Sequence, residues 1–221
     1  MKSLIIFLMG LLTQAYLIAQ TQLTFSPELT VYGLRTIPTG KFASTSDDNS
    51  GFAKSGFGAG VDFALVTQKN VAVVATLNYS TNPIDGEGLK AYNNLPSNVN
   101  VQIESYTSMF LMGGARVDIP VAESVQPFGM VQVGLLLGSY PGYKVEDQFI
   151  RLSASSASSS SLAFGATVGV KVLGSIHASF RYLTAKPNYQ SEISYTLFNG
   201  KIVATGEIPT SMVMVVLGYT F

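Results

Sequence analysis

Apolar and small polar residues alternate one by one across residues 161–183. The alternation runs through two segments that a three-residue turn, 173–175, separates. The apolar face consists of Leu162, Phe164, Ala166, Val168, Val170 and Val172, followed by Ile176, Ala178, Phe180 and Tyr182. Because successive side chains of a β-strand point to opposite faces, this pattern predicts a hairpin with one wholly apolar face.

Six further segments alternate in the same way and bring the predicted number of strands to eight. They cover residues 29–35, 56–66, 71–81, 105–119, 126–138 and 211–221. Most are long enough for a tilted strand to cross a bilayer, which takes about 9–11 residues. In the first segment the outer face is ambiguous, because Tyr32 and Leu34 compete for it with Leu29 and Val31.

The connections between these strands are long and short in turn. The long ones are expected at residues 36–55, 82–104, 139–160 and 184–209. One of them contains the serine-rich stretch 153–160, whose low complexity predicts an irregular, mobile segment. Another contains Asn199-Gly200 between two β-prone runs, which predicts a β-ribbon over residues 193–204.

The apolar faces of the second to eighth strands carry no charge, although a charge at the bilayer midplane costs about 2–4 kcal/mol. After residue 20, the chain also lacks the roughly 18 uninterrupted apolar residues of a membrane-spanning helix. The sequence therefore predicts an all-β fold: an eight-stranded antiparallel up-and-down transmembrane barrel with four long external loops and three short periplasmic turns. The alternative is a soluble, lipocalin-like periplasmic barrel whose apolar faces point inward.

Residues 1–20 have the pattern of a secretory signal peptide. Lys2 supplies the positive start, an apolar run follows, and Ala19 lies near a plausible cleavage point. We expect the barrel to occupy residues 21–221 after cleavage. The alternative for this segment is a membrane-anchoring helix.

Composition excludes several classes of function. Charged residues are only 12% of the chain and the formal net charge is 0, so there is no basic surplus to bind nucleic acid. The absence of cysteine excludes disulfides and thiolate metal sites. No pattern in the sequence indicates a cofactor.

The end of the chain carries a family resemblance. Residues 215–221 place Leu217, Tyr219 and Phe221 on one face, and this arrangement resembles the signal read by the outer-membrane assembly machinery. With the predicted signal peptide and eight strands, the chain resembles the small OmpA/OmpX/OmpW-like barrels of Gram-negative bacteria. That resemblance implies an outer-membrane location, with lipid and the assembly machinery as partners and the four long loops open to an extracellular partner. It does not imply one activity, because such barrels include adhesins, pores and lipid enzymes.

Ionisable residues on the inward faces predict a network inside the lumen. They are Asp62, Arg116, Asp118, Lys171, His177 and Arg181. A buried charge needs a partner, and an eight-stranded barrel is just wide enough for side chains to fill it. We expect Asp62 to pair with Arg116 or Arg181. The alternative is a path for protons or ions.

Three other groups of residues have compositions or spacings that resemble functional sites. His177 and Ser179 have the spacing of outer-membrane lipid A deacylases, but Phe180 replaces the usual Asn and the pair faces inward, so no catalytic residue is predicted. An inward apolar group predicts either a pocket for a hydrophobic ligand or a packed upper lumen: Phe110, Met112, Met130, Met212, Met214 and Val216. Four acidic loop residues match no calcium-binding loop, so no metal site is predicted: Asp47, Asp48, Asp85 and Glu87.

The leading interpretation is an outer-membrane barrel with a structural or surface-interaction role and a largely filled polar lumen. The alternatives are a small pore or carrier of hydrophobic ligands, a lipid hydrolase, and the soluble binding protein named above.

Overall fold

The computed structural model describes residues 25–46, 49–67, 70–94, 96, 99–122, 124–146, 151–195 and 200–221. The predicted signal peptide lies outside the described residues. The described strands are β1 (Phe25–Thr39), β2 (Gly56–Thr67), β3 (Val71–Asn82), β4 (Asn100–Ile103), β5 (Tyr106–Asp118), β6 (Val125–Tyr140), β7 (Tyr143–Glu146), β8 (Arg151–Ala154), β9 (Ala157–Val172), β10 (Ile176–Ala185), β11 (Asn188–Tyr195), β12 (Gly200–Glu207) and β13 (Thr210–Thr220). A short 3₁₀-helix (Gly40–Phe42) and helix α1 (Gly86–Tyr92) complete the elements.

Eight of these strands form a closed antiparallel barrel in the order β1-β13-β10-β9-β6-β5-β3-β2. The first and last strands close it, with Thr30 opposite Thr220 and Thr39 opposite Ser211. Because every strand has two neighbours, the barrel leaves no free edge. The predicted eight-stranded antiparallel barrel is confirmed.

The outer surface of the barrel is apolar, as the alternation predicts. Exposed outward side chains include Phe57, Val73, Leu111, Val131, Val168, Phe180 and Leu217. Among the outward positions that the structure describes on the barrel strands, Arg35 near the end of β1 is the one charged residue. The apolar faces thus point away from the barrel interior, which is the reverse of the soluble, lipocalin-like alternative.

β1 is longer than the predicted segment 29–35 and its faces are now defined. Tyr32 and Leu34 are buried inside the barrel, whereas Leu29 and Val31 are exposed on its outer surface. The register with β2 and β13 decides this, because pairing on both sides leaves one orientation for the pleat.

The prediction of an irregular serine-rich stretch at 153–160 is wrong. Residues 151–154 are strand β8, and β9 begins at Ala157. Ser158 to Ser160 pair with Ser139 to Leu137 of β6, so backbone pairing orders a stretch whose side chains are too small to form a core.

The barrel has a turn end, where short connections join β2 to β3, β5 to β6 and β9 to β10, and a loop end with the longer connections. At the loop end the connections form a second sheet in the order β12-β11-β8-β7-β4, which we call the loop-end sheet. Its β11–β12 hairpin covers the predicted ribbon, but the predicted turn at Asn199-Gly200 is wrong, because Gly200 pairs with Tyr195 and belongs to β12. Residues 196–199 lie outside the described residues. The rest of this sheet was not predicted.

Side chains fill the barrel interior in two apolar clusters. The larger includes Phe110, Leu136 and Leu183, each fully buried, and the smaller includes Val74 and Met130. Inward glycines let neighbouring strands approach closely: a Cβ on Gly58 would lie 2.1 Å from the carbonyl oxygen of Tyr79. In the described part of the chain, no helix is long and apolar enough to span a membrane.

Candidate functional site

A buried ion pair occupies the centre of the lumen. Arg181 of β10 is completely buried and its Nη2 lies 2.7 Å from Oδ2 of Asp62 on β2. The Arg181 Nη1 donates to the Tyr32 hydroxyl at 2.8 Å, and that hydroxyl donates to Oδ1 of Asp62 at 3.2 Å. The guanidinium carbon also lies 5.2 Å from the centroid of the Tyr32 ring. The three residues therefore form a closed triangle across the lumen.

Neutral side chains extend this triangle to other strands. Thr76 of β3 donates to Oδ1 of Asp62 at 2.6 Å and accepts from Nε2 of Gln132 on β6 at 2.7 Å. The Arg181 Nε donates to Thr167 of β9 at 3.2 Å. Because the contacts join six of the eight barrel strands, the cluster holds the barrel wall together from inside.

A second ion network lies nearer the turn end. Glu28 of β1 accepts from Nη2 of Arg116 at 2.6 Å and from Nζ of Lys171 at 2.7 Å. The Arg116 Nη2 also lies 2.9 Å from Oδ2 of Asp118. Two positive and two negative groups thus compensate one another. Sequence reasoning missed Glu28 because the predicted first strand began one residue after it.

His177 and Ser179 lie side by side on the inner face of β10. His177 Nε2 and Ser179 Oγ are 3.1 Å apart, and the Phe128 ring centroid lies 4.9 Å from that of the imidazole. Both side chains are buried inside the barrel. The pair therefore faces the lumen. The active site of the deacylases that it resembles faces the lipid instead.

The six predicted pocket residues all face inward and are buried, with exposures of 0–4%. Five of them, Phe110, Met112, Met212, Met214 and Val216, belong to the larger apolar cluster. Met130 packs with Ala64, Ala72 and Val74 in the smaller one. The structure therefore places these side chains in the packed interior of the lumen.

The acidic loop residues have other partners where the structure describes them. Asp85 lies 3.0 Å from Nζ of Lys54, and the hydrogen bond from Lys54 holds the pKa of the Asp85 carboxyl below its usual range. Glu87 pairs with Lys90 on α1. Asp47 and Asp48 lie outside the described residues. No three potential metal-ligating side chains come together within the described ranges.

A chamber of about 600 Å³ lies between α1, the loop-end sheet and the mouth of the barrel. A second cavity of about 320 Å³ adjoins it and is lined by Tyr189, Ser191 and Thr205 among others. The two cavities share four wall residues: Phe52, Tyr92, Tyr140 and Tyr143. Sequence reasoning missed this site because its walls come from four connections that only the fold brings together.

Among the strands that the structure describes, β12 is an edge of the loop-end sheet, with no strand paired to its outer side. Ile202 and Val203 of this strand are 55% and 56% exposed. On β11, the Glu192 carbonyl accepts from the backbone N–H of Ser155, so the polar backbone groups of Glu192 face away from β12. Val203 stands opposite Glu192 in the register, and the two residues form no backbone hydrogen bonds with each other. The N–H and C=O of Val203 therefore point away from β11, to the open side of β12.

Solved structures share the fold at low sequence identity. A major outer membrane protein from Thermus thermophilus matches with a TM-score of 0.51 at 9% identity, over 89% of this chain and 100% of that one. The attachment invasion locus protein Ail of Yersinia pestis, bound to the heparin analogue sucrose octasulfate, matches at 0.49 and 14%, over 89% and 99%. Neisserial surface protein A gives 0.48 and 13%, over 89% and 97%. The resemblance to small outer-membrane barrels is confirmed at the level of the fold.

No protein-family model matches the chain, and no curated protein is similar to it in sequence.

Proposed function

We propose that this chain is an integral protein of the bacterial outer membrane, with a closed lumen and a recognition surface at its loop end. The observation that carries the proposal is a closed barrel whose outside is apolar and whose inside is ion-paired. Such a barrel satisfies its backbone polar groups without an edge, which the hydrocarbon of a bilayer requires.

The outward residues indicate how deep the barrel would lie in the bilayer. Near the loop end the apolar surface gives way to a shallow groove whose polar residues are Tyr79, Thr107, Ser139, Ser158, Ser159 and Ser160. Hydroxyl and aromatic groups suit the level of the lipid headgroups. Arg35 stands opposite Phe57 in the register, close to this level, where a long side chain can reach the headgroups.

This placement directs the loop end outward and the turn end toward the periplasm. The end of the chain then lies at the periplasmic side, with Leu217, Tyr219 and Phe221 on the lipid face. The rings of Tyr219 and Phe221 are 4.9 Å apart and form one aromatic surface. We expect the assembly machinery to bind this surface, as the resemblance implies.

The filled lumen favours a role other than transport. Arg181 and Asp62 occupy its centre, and Phe110, Leu136 and Met212 are fully buried on its inner side. A path for ions through such an interior would have to break a compensated ion pair. The inward-facing His177 and Ser179 likewise favour a protein that is not a lipid hydrolase.

The open edge of β12 is the part of the loop end best suited to bind a partner protein. An exposed strand edge offers a row of free N–H and C=O groups to which an extended segment can add as a further strand. The backbone N–H and C=O groups of Lys201, Val203 and Thr205 share this outward orientation, because in an antiparallel pair they alternate with residues whose N–H and C=O point to β11. We propose that the partner is an extended segment of an extracellular protein.

The membrane placement is tested by gel mobility and conductance. The detergent-extracted protein, unboiled, is expected to migrate differently from the boiled sample and to come from the outer-membrane fraction. Recovery from the soluble periplasm without detergent would contradict the proposal. In planar bilayers we expect no stable single-channel steps, and regular steps would instead establish the pore.

The β12 edge is tested with a phage-displayed peptide library selected on the protein in nanodiscs. Val203→Pro removes one edge-facing N–H and leaves the pairing with β11 intact. We expect it to weaken the selected peptides at least tenfold, whereas Val203→Ala, which keeps the N–H, changes binding less than threefold. If the selected peptides bind Val203→Pro as tightly as the wild type, they bind at a site other than the β12 edge. A dimer that Val203→Pro dissociates would identify a second copy of this chain as the occupant.

A further inference from the structure

We infer that the chamber between α1 and the loop-end sheet is a binding site for an uncharged, mainly apolar small molecule. This site is separate from the β12 edge and does not depend on a partner protein binding there. Its volume of about 600 Å³ lies in the range of ligand pockets, roughly 300–1,000 Å³.

Helix α1, the loop-end sheet and the barrel each contribute to the walls. Leu89 and Tyr92 come from α1, and Val101 and Val145 come from strands β4 and β7 of the loop-end sheet. The floor is made by the ends of β5 and β6, where the rings of Tyr106 and Tyr140 are 5.6 Å apart. The chamber thus has a rigid base on the barrel.

The apolar side of α1 is only partly covered by the residues that the structure describes. No residue of this helix is buried, and Tyr92 is 46% exposed although it contacts Phe52 edge to face at 5.6 Å. A helix ordinarily gains its stability by packing an apolar face against a core. Here that face lines a cavity, so a bound apolar molecule would supply the missing contact.

Phe52, which both cavities share, is held in an unusual backbone conformation. Its φ is +52°, in the left-handed region that bulky residues rarely adopt. Its carbonyl accepts from the N–H of Asp85 at 2.7 Å, and the N–H of Ala53 donates to the Phe42 carbonyl at 2.9 Å. Strained backbone conformations that surrounding contacts hold in place are frequent at ligand sites. The result here is an aromatic ring fixed at the boundary of the two cavities.

The lining defines the class of ligand. No Asp, Glu, Lys, Arg or His lines either cavity among the described residues. A charged ligand would lose its hydration without gaining a partner. Aromatic rings and aliphatic side chains provide dispersion contacts over most of the wall, which favours a neutral aromatic or aliphatic molecule.

The test uses the full chain in nanodiscs and the neutral fluorescent probe N-phenyl-1-naphthylamine. We expect saturable binding above that of empty nanodiscs. Leu89→Asp places a charge in the chamber wall and should weaken the probe at least tenfold. Ala91→Asp, on the same helix but outside the lining, should change binding less than twofold. The heat-dependent gel shift checks that both variants fold.

A second measurement uses the absence of tryptophan from the chain. In Tyr92→Trp, energy transfer from the single tryptophan to the bound probe should saturate as the probe concentration rises. In Phe180→Trp, the tryptophan lies on the outer surface of the barrel, and its energy transfer should report only probe dissolved in lipid. Identical curves from both positions would overturn the inference. So would binding that equals that of empty nanodiscs or that Leu89→Asp leaves unchanged.

Discussion

Arg181 and Asp62 lie 119 residues apart in the chain and meet at 2.7 Å in the centre of the lumen. Their side chains are 0% and 5% exposed, so both charges are removed from bulk solvent. This relationship makes the interior of the barrel both filled and electrically compensated, and it is the contact whose loss has the clearest consequence.

Removing one member of this pair should destabilise the barrel strongly. Asp62→Asn leaves a buried guanidinium without a counter-charge, which typically costs about 3–5 kcal/mol. We expect the urea concentration at the midpoint of unfolding in lipid vesicles to fall accordingly. The heat-dependent gel shift measures the folded fraction at each urea concentration. Asp62→Asn combined with Arg181→Met should recover most of the loss. Glu192→Gln, which breaks the exposed Lys201–Glu192 pair, serves as the control and should cost less than about 1 kcal/mol.

Inward and outward glycines should respond oppositely to a methyl group. A Cβ on Gly58 would lie 2.1 Å from the Tyr79 carbonyl oxygen, whereas a Cβ on Gly113 would have no atom within 4 Å. Gly58→Ala therefore forces β2 and β3 apart, and overpacking of this kind costs about 1–3 kcal/mol or more. Gly113→Ala should be neutral or slightly stabilising. Refolding yield into vesicles measures both, and equal yields would show that β2 and β3 can separate without loss.

The free-energy cost of a charge on the outer surface should depend on its depth in the bilayer. Val133 lies near the middle of β6 and is 50% exposed, while Ser139 lies on the same face near the loop end. We expect Val133→Lys to cost about 2–4 kcal/mol in a bilayer and Ser139→Lys about 0–1 kcal/mol. Urea titration in vesicles gives both values. If the two variants cost the same, the band around Val133 is not in hydrocarbon.

The buried tyrosine at the base of the loop-end sheet should make that region sensitive to alkali. Burial raises the pKa of Tyr189 to about 12, against about 10 in the unfolded chain. The folded form keeps the proton where the unfolded form has lost it, so this contribution to stability is complete below pH 10 and is lost as the pH rises through 12. The difference in absorbance titration between the wild type and Tyr189→Phe should show one hydroxyl that ionises near pH 12. A difference centred near pH 10 would mean that Tyr189 is solvated.

Local pattern was sufficient to predict the barrel. Alternation along single strands defines which side chains share a face, and in the structure Asp62, Arg116 and Arg181 lie inside and Val133 and Phe180 outside. It also predicted a β-ribbon in this region, although Gly200 pairs with Tyr195 inside the ribbon and is not the second residue of an Asn-Gly turn. These features depend on residues that are neighbours in the chain.

The loop-end sheet and its chamber depended on tertiary structure. Strands β4, β7 and β8 have four residues each, which is too short for alternation to be recognised. With β11 and β12, the sheet joins segments from three different connections. The choice between Arg116 and Arg181 as the partner of Asp62 was likewise open in the sequence. The register and closure of the barrel decided it, because only they define which inward side chains reach one another across the lumen.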